Sequence, residues 1–321
     1  MKLAVYAVSR YHIKCTDIGY DVCLRIFSIK KSEKKMKLTD IYKNKEQVVS
    51  FEIFPPKAQD ELDNIDETLG ILCDLKPDYI SVTFGAGGSS NNNKTIAICK
   101  KIREEYHTEA VAHLTGLCYD KNDIDEFCKQ LEASGIENIL ALRGDVNPNA
   151  PSKGVFNHAS DLITYIKPHT NFCIAGACYP ENHPDSKSRV DEMTNLRKKV
   201  EAGAEVLLSQ LFFDNNDFYN FVEDARIAGI TVPITPGIMP CLSAKTIKRM
   251  VTTCGAKLPE RFAKIIDRYE DNKAALFDAG LYYAISQIID LLASGCDGVH
   301  IYTMNNPAAA KRICEGIKNV I

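Results

Sequence analysis

The sequence predicts a closed barrel of eight alternating strands and helices, the (β/α)8 or TIM-barrel fold, in a single domain. Eight short apolar runs rich in β-branched residues recur from Val49 onward, and longer amphipathic stretches separate them. The first run ends in Phe54-Pro55-Pro56, whereas an open doubly wound sheet usually has a glycine-rich turn after its first strand. A chain of 321 residues is long enough to bury such a barrel as one domain.

The predicted strands follow one another at intervals that leave room for a helix after each. They are Val49–Phe54, Tyr79–Phe84, Ala110–Leu114, Asn138–Leu142, Phe172–Cys178, Val206–Phe212, Val232–Thr235 and Gly298–Thr303. Glycines that follow the intervening helices closely indicate where four of them end: Gly135, Gly203, Gly229 and Gly295. The stretch from Gly237 to Gly298 is long enough that we expect additional helices before the last strand.

Composition excludes several classes of protein. The formal net charge of −3 gives no reason to expect nucleic acid or a membrane surface as a partner. We find no apolar run long enough to span a bilayer and no signal peptide, and therefore expect a cytoplasmic protein. The twelve cysteines include no C-x-x-C pair, so we expect reduced thiols and no metal site.

Residues 1–35 differ from the rest of the chain. They carry eight Lys or Arg and three acidic residues, and they show no clear hydrophobic period. We interpret them as an extension, either flexible or the product of a mis-assigned start, before a domain at 36–321. The alternative is a helix or strand that plugs the bottom of the barrel.

Functional groups of a TIM barrel collect at the C-terminal ends of its strands. Glu52 interrupts the otherwise apolar first strand, where burial is expected to raise its pKa and keep it protonated as a general acid. The alternative is a salt bridge to a nearby Lys or Arg. Asp145 follows Gly144, which lets the backbone approach a ligand closely; an Arg143–Asp145 turn without a ligand is the alternative.

Other strand ends carry polar groups with weaker signals. His113, His183 and Gln210 are candidates for binding polar ligand atoms. Lys199, on the helix after the fifth strand, could reach a pyrophosphate as a point charge, but the residues alone favour a solvated basic helix face.

Nine segments in series resemble the methylenetetrahydrofolate reductase family. They are VSFEIFPPK (49–57), YISVTFGAGG (79–88), AHLT (112–115), ILALRGD (139–145), ASDLI (159–163), YPENHP (179–184), NLRKKVEAGAE (195–205), SQLFFD (209–214) and ITPGIMP (234–240). Their order and spread over most of the chain make the resemblance specific, and the family's TIM barrel agrees with the strand count.

The resemblance implies roles for individual residues. Glu52 matches the family's general acid, which contacts the substrate, and Asp145 matches a carboxylate beside the flavin ring. Gln210 matches a folate-contacting residue. Residues that match contacts to flavin-adenine dinucleotide (FAD) are Thr83, His113, Leu142, Arg143, Gly144, Asp145, His158, Ala159, Tyr179, His183, Glu192 and Lys199.

The implied activity is the reduction of 5,10-methylenetetrahydrofolate to 5-methyltetrahydrofolate by FAD, which NADH or NADPH re-reduces in a ping-pong cycle. This reaction belongs to one-carbon metabolism and methionine biosynthesis. The chain resembles the bacterial form that consists of the catalytic module alone, and the family commonly forms homo-oligomers.

Two residues depart from the family pattern at positions that concern nucleotide and folate-tail binding. Met250 lies where some members have a Phe that stacks on the nicotinamide, and Asn306 lies where some have an Arg. Met250 and the twelve cysteines leave open the same barrel taking electrons from a ferredoxin or an iron–sulfur partner subunit. A second alternative, of another class, is a flavin-free folate-binding or assembly protein, against which Glu52, Asp145 and Gln210 argue.

Overall fold

The computed structural model describes residues 36–56, 62–84, 89–146 and 151–321. The predictions for residues 1–35 and for the glycine-rich end of the second motif at 85–88 lie outside these residues. Within the described residues the strands close into one barrel, which confirms the predicted fold.

Eight parallel strands form the barrel in chain order, and the first pairs with the last. They are β1 Val48–Ile53, β2 Tyr79–Val82, β3 Glu109–Thr115, β4 Asn138–Leu142, β5 Cys173–Cys178, β6 Val206–Leu211, β7 Ile234–Ile238 and β8 Gly298–Tyr302. Most bounds lie within two residues of the predicted ones. The prediction ended β7 at Thr235, yet Pro236 and Gly237, which are residue types that rarely occur inside strands, both belong to β7.

Eleven helices lie in the described part of the chain. They are α1 Leu38–Asn44, α2 Leu62–Asp74, α3 Ser89–Glu104, α4 Lys121–Ala133, α5 Ala159–Ile166, α6 Arg189–Glu201, α7 Asn215–Ile227, α8 Ala244–Cys254, α9 Glu260–Tyr269, α10 Lys273–Ala293 and α11 Pro307–Ile317. Three of them, α8, α9 and α10, lie between β7 and β8, as the length of that stretch predicts.

Local sequence explains where these helices begin and end. The α4 helix starts with a capping box, in which the side chains of Asp120 and Asp123 each accept the other residue's backbone N–H. Gly135 and Gly229 follow α4 and α7 with φ of 70° and 82°. The predicted helix stops are therefore confirmed at these left-handed positions.

The short helix α1 packs against the N-terminal end of the barrel. The Tyr42 hydroxyl lies 2.6 Å from Oγ1 of Thr235 and 3.1 Å from the hydroxyl of Tyr79, the first residue of β2. The backbone N–H of Leu38 donates to Oδ1 of Asn138, the first residue of β4, at 2.8 Å. The α1 helix thus covers the end of the barrel opposite to the one at which functional groups are expected.

One described helix, α10, is long and apolar enough to cross a membrane by length and composition. The expectation that no such run exists was therefore wrong. The face of α10 that carries Leu281 and Ile288 is completely buried, and Nε2 of Gln287 donates to the Phe212 carbonyl at 3.1 Å. These contacts explain the apolar composition of α10, because a helix packed against the core of a barrel is also long and apolar.

Candidate active site

A cavity of about 730 Å³ opens at the C-terminal end of the barrel. Its wall consists of strand ends and the segments that follow them, which is where TIM barrels hold their active sites. The volume lies in the range of ordinary ligand pockets. The cavity brings together ten of the predicted site residues: Glu52, Thr83, His113, Leu142, Arg143, Gly144, Asp145, Tyr179, His183 and Gln210.

The carboxylate of Glu52 lies between two histidines. Its Oε2 atom is 3.5 Å from Nε2 of His113 and 3.5 Å from Nε2 of His300. The Glu52 side chain is 19% exposed, so the group is largely withdrawn from water. No Lys or Arg among the described residues pairs with Glu52. The alternative prediction, a salt bridge to a nearby Lys or Arg, was therefore wrong.

These histidines change the expected ionisation of Glu52. Burial acts to raise its pKa, but the hydrogen bond with His300 and the positive charges that His113 and His300 can carry outweigh burial, and the pKa lies below its ordinary value. The prediction that burial alone keeps this carboxyl group protonated was therefore wrong. The burial of Glu52 was predicted correctly. Its two partners, His113 and His300, are remote in sequence and were not predicted.

His113 is the second buried polar group of the cavity. Burial lowers its pKa to about 4, so the ring is neutral at pH 7. Its Nε2 atom is buried and makes no hydrogen bond with any described residue, although Glu52 is near. An unsatisfied buried nitrogen is uncommon in native proteins and indicates a place for a ligand atom or a water molecule.

His300 lines the same cavity, and sequence reasoning missed it. Its Nδ1 atom lies 2.8 Å from Oγ of Ser50, and its Nε2 atom lies 3.4 Å from Oγ of Ser81. All three are polar residues inside strands, and all three are buried. Polar residues inside apolar strands were the signal in the sequence, because buried polar groups need hydrogen-bond partners. In the structure His300 finds its partners in Ser50 and Ser81.

The Arg143-Gly144-Asp145 turn follows β4 at the cavity wall. Arg143 pairs with Asp185 through Nη1 at 2.6 Å, so the turn's own Asp145 is not its partner. Gly144 has φ of +90°, and a Cβ atom there would lie 3.0 Å from Cβ of Thr115. Asp145 is exposed and lines the cavity, so its carboxylate is available to a ligand.

Tyr179 and His183 form an edge-to-face pair with ring centroids 4.6 Å apart. The backbone N–H of Asp185 donates to Nδ1 of His183 at 3.0 Å, which leaves Nε2–H as the ring's donor in the neutral form. Burial, followed by the charge of Arg143, lowers the pKa of His183. Burial raises the pKa of Tyr179 to about 12. Both rings are thus neutral at pH 7.

Thr83 and Leu142 contribute mainly through their backbone positions. The N–H of Thr83 donates to the Ile53 carbonyl at 2.9 Å, which extends the β1–β2 pairing to the cavity wall. Leu142 is the last residue of β4, and its carbonyl accepts the N–H of Gly116 at 3.1 Å.

The other four predicted residues do not line the cavity. His158 is exposed and precedes α5, the first residue of which is Ala159. Glu192 is buried, and its Oε2 accepts the backbone N–H of His183 at 3.0 Å. Lys199 donates to the Ala177 carbonyl, and burial lowers its pKa. Glu192 and Lys199 therefore support residues of the cavity wall from behind.

The two departures from the family pattern have different structural outcomes. Met250, on α8, lines the cavity, so a flexible thioether stands at that wall. Asn306 instead caps α11, and its Oδ1 accepts the N–H of Ala309 at 3.0 Å.

The fold and the cavity together define a TIM-barrel protein with a buried carboxylate–histidine cluster at the C-terminal end of the barrel. Residues 37–318 match the family model described as "Methylenetetrahydrofolate reductase". The chain therefore belongs to the methylenetetrahydrofolate reductase family, which confirms the resemblance found in its sequence.

Individual relatives agree with this assignment. The chain is 33% identical over 266 residues to the 5,10-methylenetetrahydrofolate reductase of Escherichia coli, covering 83% of this chain and 89% of that protein. It is 34% identical over 285 residues to methylenetetrahydrofolate reductase (NADH) 1 of Arabidopsis thaliana, covering 84% of this chain. The match spans 48% of the plant protein, about half of its length.

Among solved structures, a protein from Clostridium thermocellum superimposes with a TM-score of 0.65 at 14% identity. The match covers 88% of this chain and 98% of that one. The Clostridium protein is described as binding two copies of 5-methyl-5,6,7,8-tetrahydrofolic acid. At this identity the similarity shows the fold.

Proposed function

We propose that this protein reduces 5,10-methylenetetrahydrofolate to 5-methyltetrahydrofolate, with FAD as cofactor and NADH or NADPH as electron donor. The names of the Escherichia coli and Arabidopsis thaliana relatives support the reaction, and "NADH" in the plant name supports a pyridine nucleotide donor. The folate bound by the Clostridium protein adds support for the substrate class.

The observation that carries the proposal is the shared cavity of Glu52 and Asp145. One carboxylate is held deep in the barrel between two histidines, and the other is exposed on the wall. Both line the same space of about 730 Å³. Two carboxylates in such different surroundings are suited to different tasks, one as an acid and one as a fixed negative charge.

The residues of the cavity fit FAD. Nε2 of His113 is a buried nitrogen without a hydrogen-bond partner among the described residues, which a heterocycle atom would satisfy. Gly144 lines the cavity without a side chain, so a ligand can come close to the backbone there. Arg143 offers a cation suited to a pyrophosphate, and His183 offers an N–H donor.

Bound FAD would accept a hydride from the nicotinamide and deliver it to the one-carbon unit, so the protein need supply only orientation, charge and a proton. Opening the five-membered ring of the folate requires a proton on its leaving nitrogen, and Glu52 is the acid placed to donate it. The negative charge of Asp145 stabilises the cationic carbon that ring opening produces.

The lowered pKa of Glu52 requires a source for this proton. His300 lies 3.5 Å from Glu52, so the two side chains can hold one proton between them. A ring system that fills the cavity would exclude the remaining water from Glu52 and raise its pKa. The acid thus becomes protonated when the substrate is in place.

The shared cavity of Glu52 and Asp145 predicts that the nucleotide and the folate bind in turn. Both must reach the same redox group, so we expect them to occupy overlapping places beside it. We therefore expect ping-pong kinetics.

An anaerobic titration tests the proposal. Protein loaded with FAD should lose its yellow colour on addition of NADH or NADPH, and 5,10-methylenetetrahydrofolate should restore it with formation of 5-methyltetrahydrofolate. Bleaching without recovery by the folate would contradict the folate reaction. Protein that binds no FAD would instead support the flavin-free alternative.

A protein electron donor remains a second candidate because of Met250. This side chain lines the cavity where a stacking aromatic ring is expected, which weakens the case for a bound nicotinamide. The same titration separates the two donors. Rapid bleaching by a reduced ferredoxin and none by either nucleotide would favour the protein donor.

A further inference from the structure

Strand β6 has an irregular end at the cavity wall. Its pairing with β7 is regular at Leu207 and Leu208 and resumes at Leu211 opposite Gly237. Ser209 and Gln210 lie in the irregular segment between. Irregularities of this kind occur next to active sites, where they redirect a side chain.

The irregularity fixes the side-chain amide of Gln210. Its Oε1 atom accepts the backbone N–H of Leu211 at 2.8 Å. The amide oxygen is therefore engaged, and the NH2 group is the remaining polar group of a side chain that lines the cavity. An amide fixed in this way offers a hydrogen-bond donor, which selects a ligand with a carbonyl oxygen or ring nitrogen at that position.

Tyr302 holds the same segment from the neighbouring side. Its hydroxyl donates to the Ser209 carbonyl at 2.7 Å, across 93 positions of sequence. The Ser209 side chain accepts the N–H of Gly237 at 2.8 Å and donates to the Gln210 carbonyl at 2.9 Å. The backbone carbonyls on either side of the Gln210 Cα atom, those of Ser209 and Gln210, are thus both anchored.

Gly237 makes this arrangement sterically possible. A Cβ atom at that position would lie 2.3 Å from the Ser209 carbonyl oxygen and 2.7 Å from the Tyr302 hydroxyl. Both distances are too short for real atoms. The contact between Tyr302 and the β6 carbonyl therefore depends on a glycine in β7.

We propose that Tyr302 is a positioning residue whose hydroxyl anchors the irregular end of β6 and thereby aims the Gln210 amide at the folate. The role in folate binding rests on the proposed function; the anchoring of Gln210 does not. Burial raises the pKa of Tyr302 well above its ordinary value, so the phenol remains a donor across the working pH range.

The chain offers a matched control in Tyr283. Its hydroxyl also donates to a backbone carbonyl at 2.7 Å, that of Phe213, two residues beyond β6. Tyr283 does not belong to the cavity wall among the described residues. Tyr302→Phe and Tyr283→Phe thus remove the same atom and the same kind of bond. We expect Tyr302→Phe alone to affect Gln210.

Hydrogen exchange tests the anchoring without any ligand. The Leu211 amide should exchange faster in Tyr302→Phe than in the wild type, because its acceptor on Gln210 is no longer held. Tyr283→Phe should leave Leu211 unchanged. Equal exchange at Leu211 in Tyr302→Phe and wild type would overturn the proposal.

Kinetics then test the consequence for the folate. Tyr302→Phe should raise the KM for methylenetetrahydrofolate by about 2- to 10-fold, the effect of one hydrogen bond, whereas Tyr283→Phe should leave that KM unchanged. In a Gln210→Ala background it should add no further increase, because it acts through Gln210. The same increase in both backgrounds would overturn the positioning role. Wild-type protein without folate turnover would refute the proposed function and leave hydrogen exchange to decide the anchoring.

Discussion

Oε2 of Glu52 and Nε2 of His300 lie 3.5 Å apart at the bottom of the cavity, although the residues are 248 positions apart in sequence. Oγ of Ser50 lies 2.8 Å from Nδ1 of the same ring and 3.4 Å from the Val299 carbonyl. A hydroxyl that donates to that carbonyl accepts from Nδ1–H, which leaves Nε2 to accept a proton from Glu52. The pair is thus built to hold one proton.

Replacing His300 should move the pH dependence of folate reduction. The hydrogen bond with His300 lowers the pKa of Glu52, so His300→Asn lets burial dominate and raises that pKa. The protonated form of Glu52 then persists to higher pH, and the fall in single-turnover folate reduction with increasing pH should move to higher pH. Rapid-mixing measurements between pH 5 and 9 check this. A shift to lower pH would contradict the arrangement.

His113 should make stability depend on pH. Its folded-state pKa of about 4 lies below the ordinary value of 6.5, so the unfolded chain binds a proton more readily. The stability from this residue is fully present above pH 6.5 and is lost as the pH falls towards 4. In urea unfolding, the free energy should fall by up to about 1.4 kcal/mol per pH unit more steeply in wild type than in His113→Gln. Parallel slopes would contradict the burial of a neutral ring.

Gly237→Ala should destabilise the protein and disturb the site. The new methyl group would overlap the Ser209 carbonyl and the Tyr302 hydroxyl, with an expected cost of roughly 1–3 kcal/mol in urea unfolding. Gly70→Ala is the matched control, because its Cβ would meet Tyr106 at an ordinary 3.8 Å. In helix α2 that change should be neutral or stabilising by up to about 1 kcal/mol. Equal effects of the two changes would show that β7 tolerates a side chain.

Asp185→Asn should tighten the binding of FAD. The Asp185 carboxylate lies 2.6 Å from Nη1 of Arg143 and competes with any anion for that cation. Because Asp185 is 67% exposed, the pair is weak, and the expected gain in affinity is about 1.5- to 5-fold, largest at low salt. Glu201→Gln, which removes an exposed pair with Arg197, is the control for fluorescence titrations. Weaker binding by Asp185→Asn would show that the pair helps to form the site.

The fold was predictable from the sequence because each strand is a local apolar run and each helix has local start and stop signals. Glu52 was predictable for the same reason: a carboxylate inside an apolar strand is visible in the sequence. Its ionisation was not, because the histidines that set it come from β3 and β8. Local patterns fix which residues face inward, whereas barrel closure decides which of them meet.

Pairings across loops escaped prediction for the same reason. Arg143 and Asp185 are 42 positions apart, and nothing in the Arg143-Gly144-Asp145 turn indicates the more remote partner. Lys199 was expected to face a ligand, yet its side chain lies against Gly176, where a Cβ atom would approach its Cδ to 2.8 Å. Helix orientation behind a strand depends on such packing, which a single sequence does not display.

The two half-reactions of Glu52→Gln test the central claim most directly. Glutamine keeps the size of the side chain but cannot donate an acidic proton, so FAD binding and reduction by nucleotide should match the wild type. Single-turnover reduction of methylenetetrahydrofolate should fall by roughly 10²- to 10⁴-fold, the usual contribution of a general acid. Folate reduction at the wild-type rate in this variant would contradict the account.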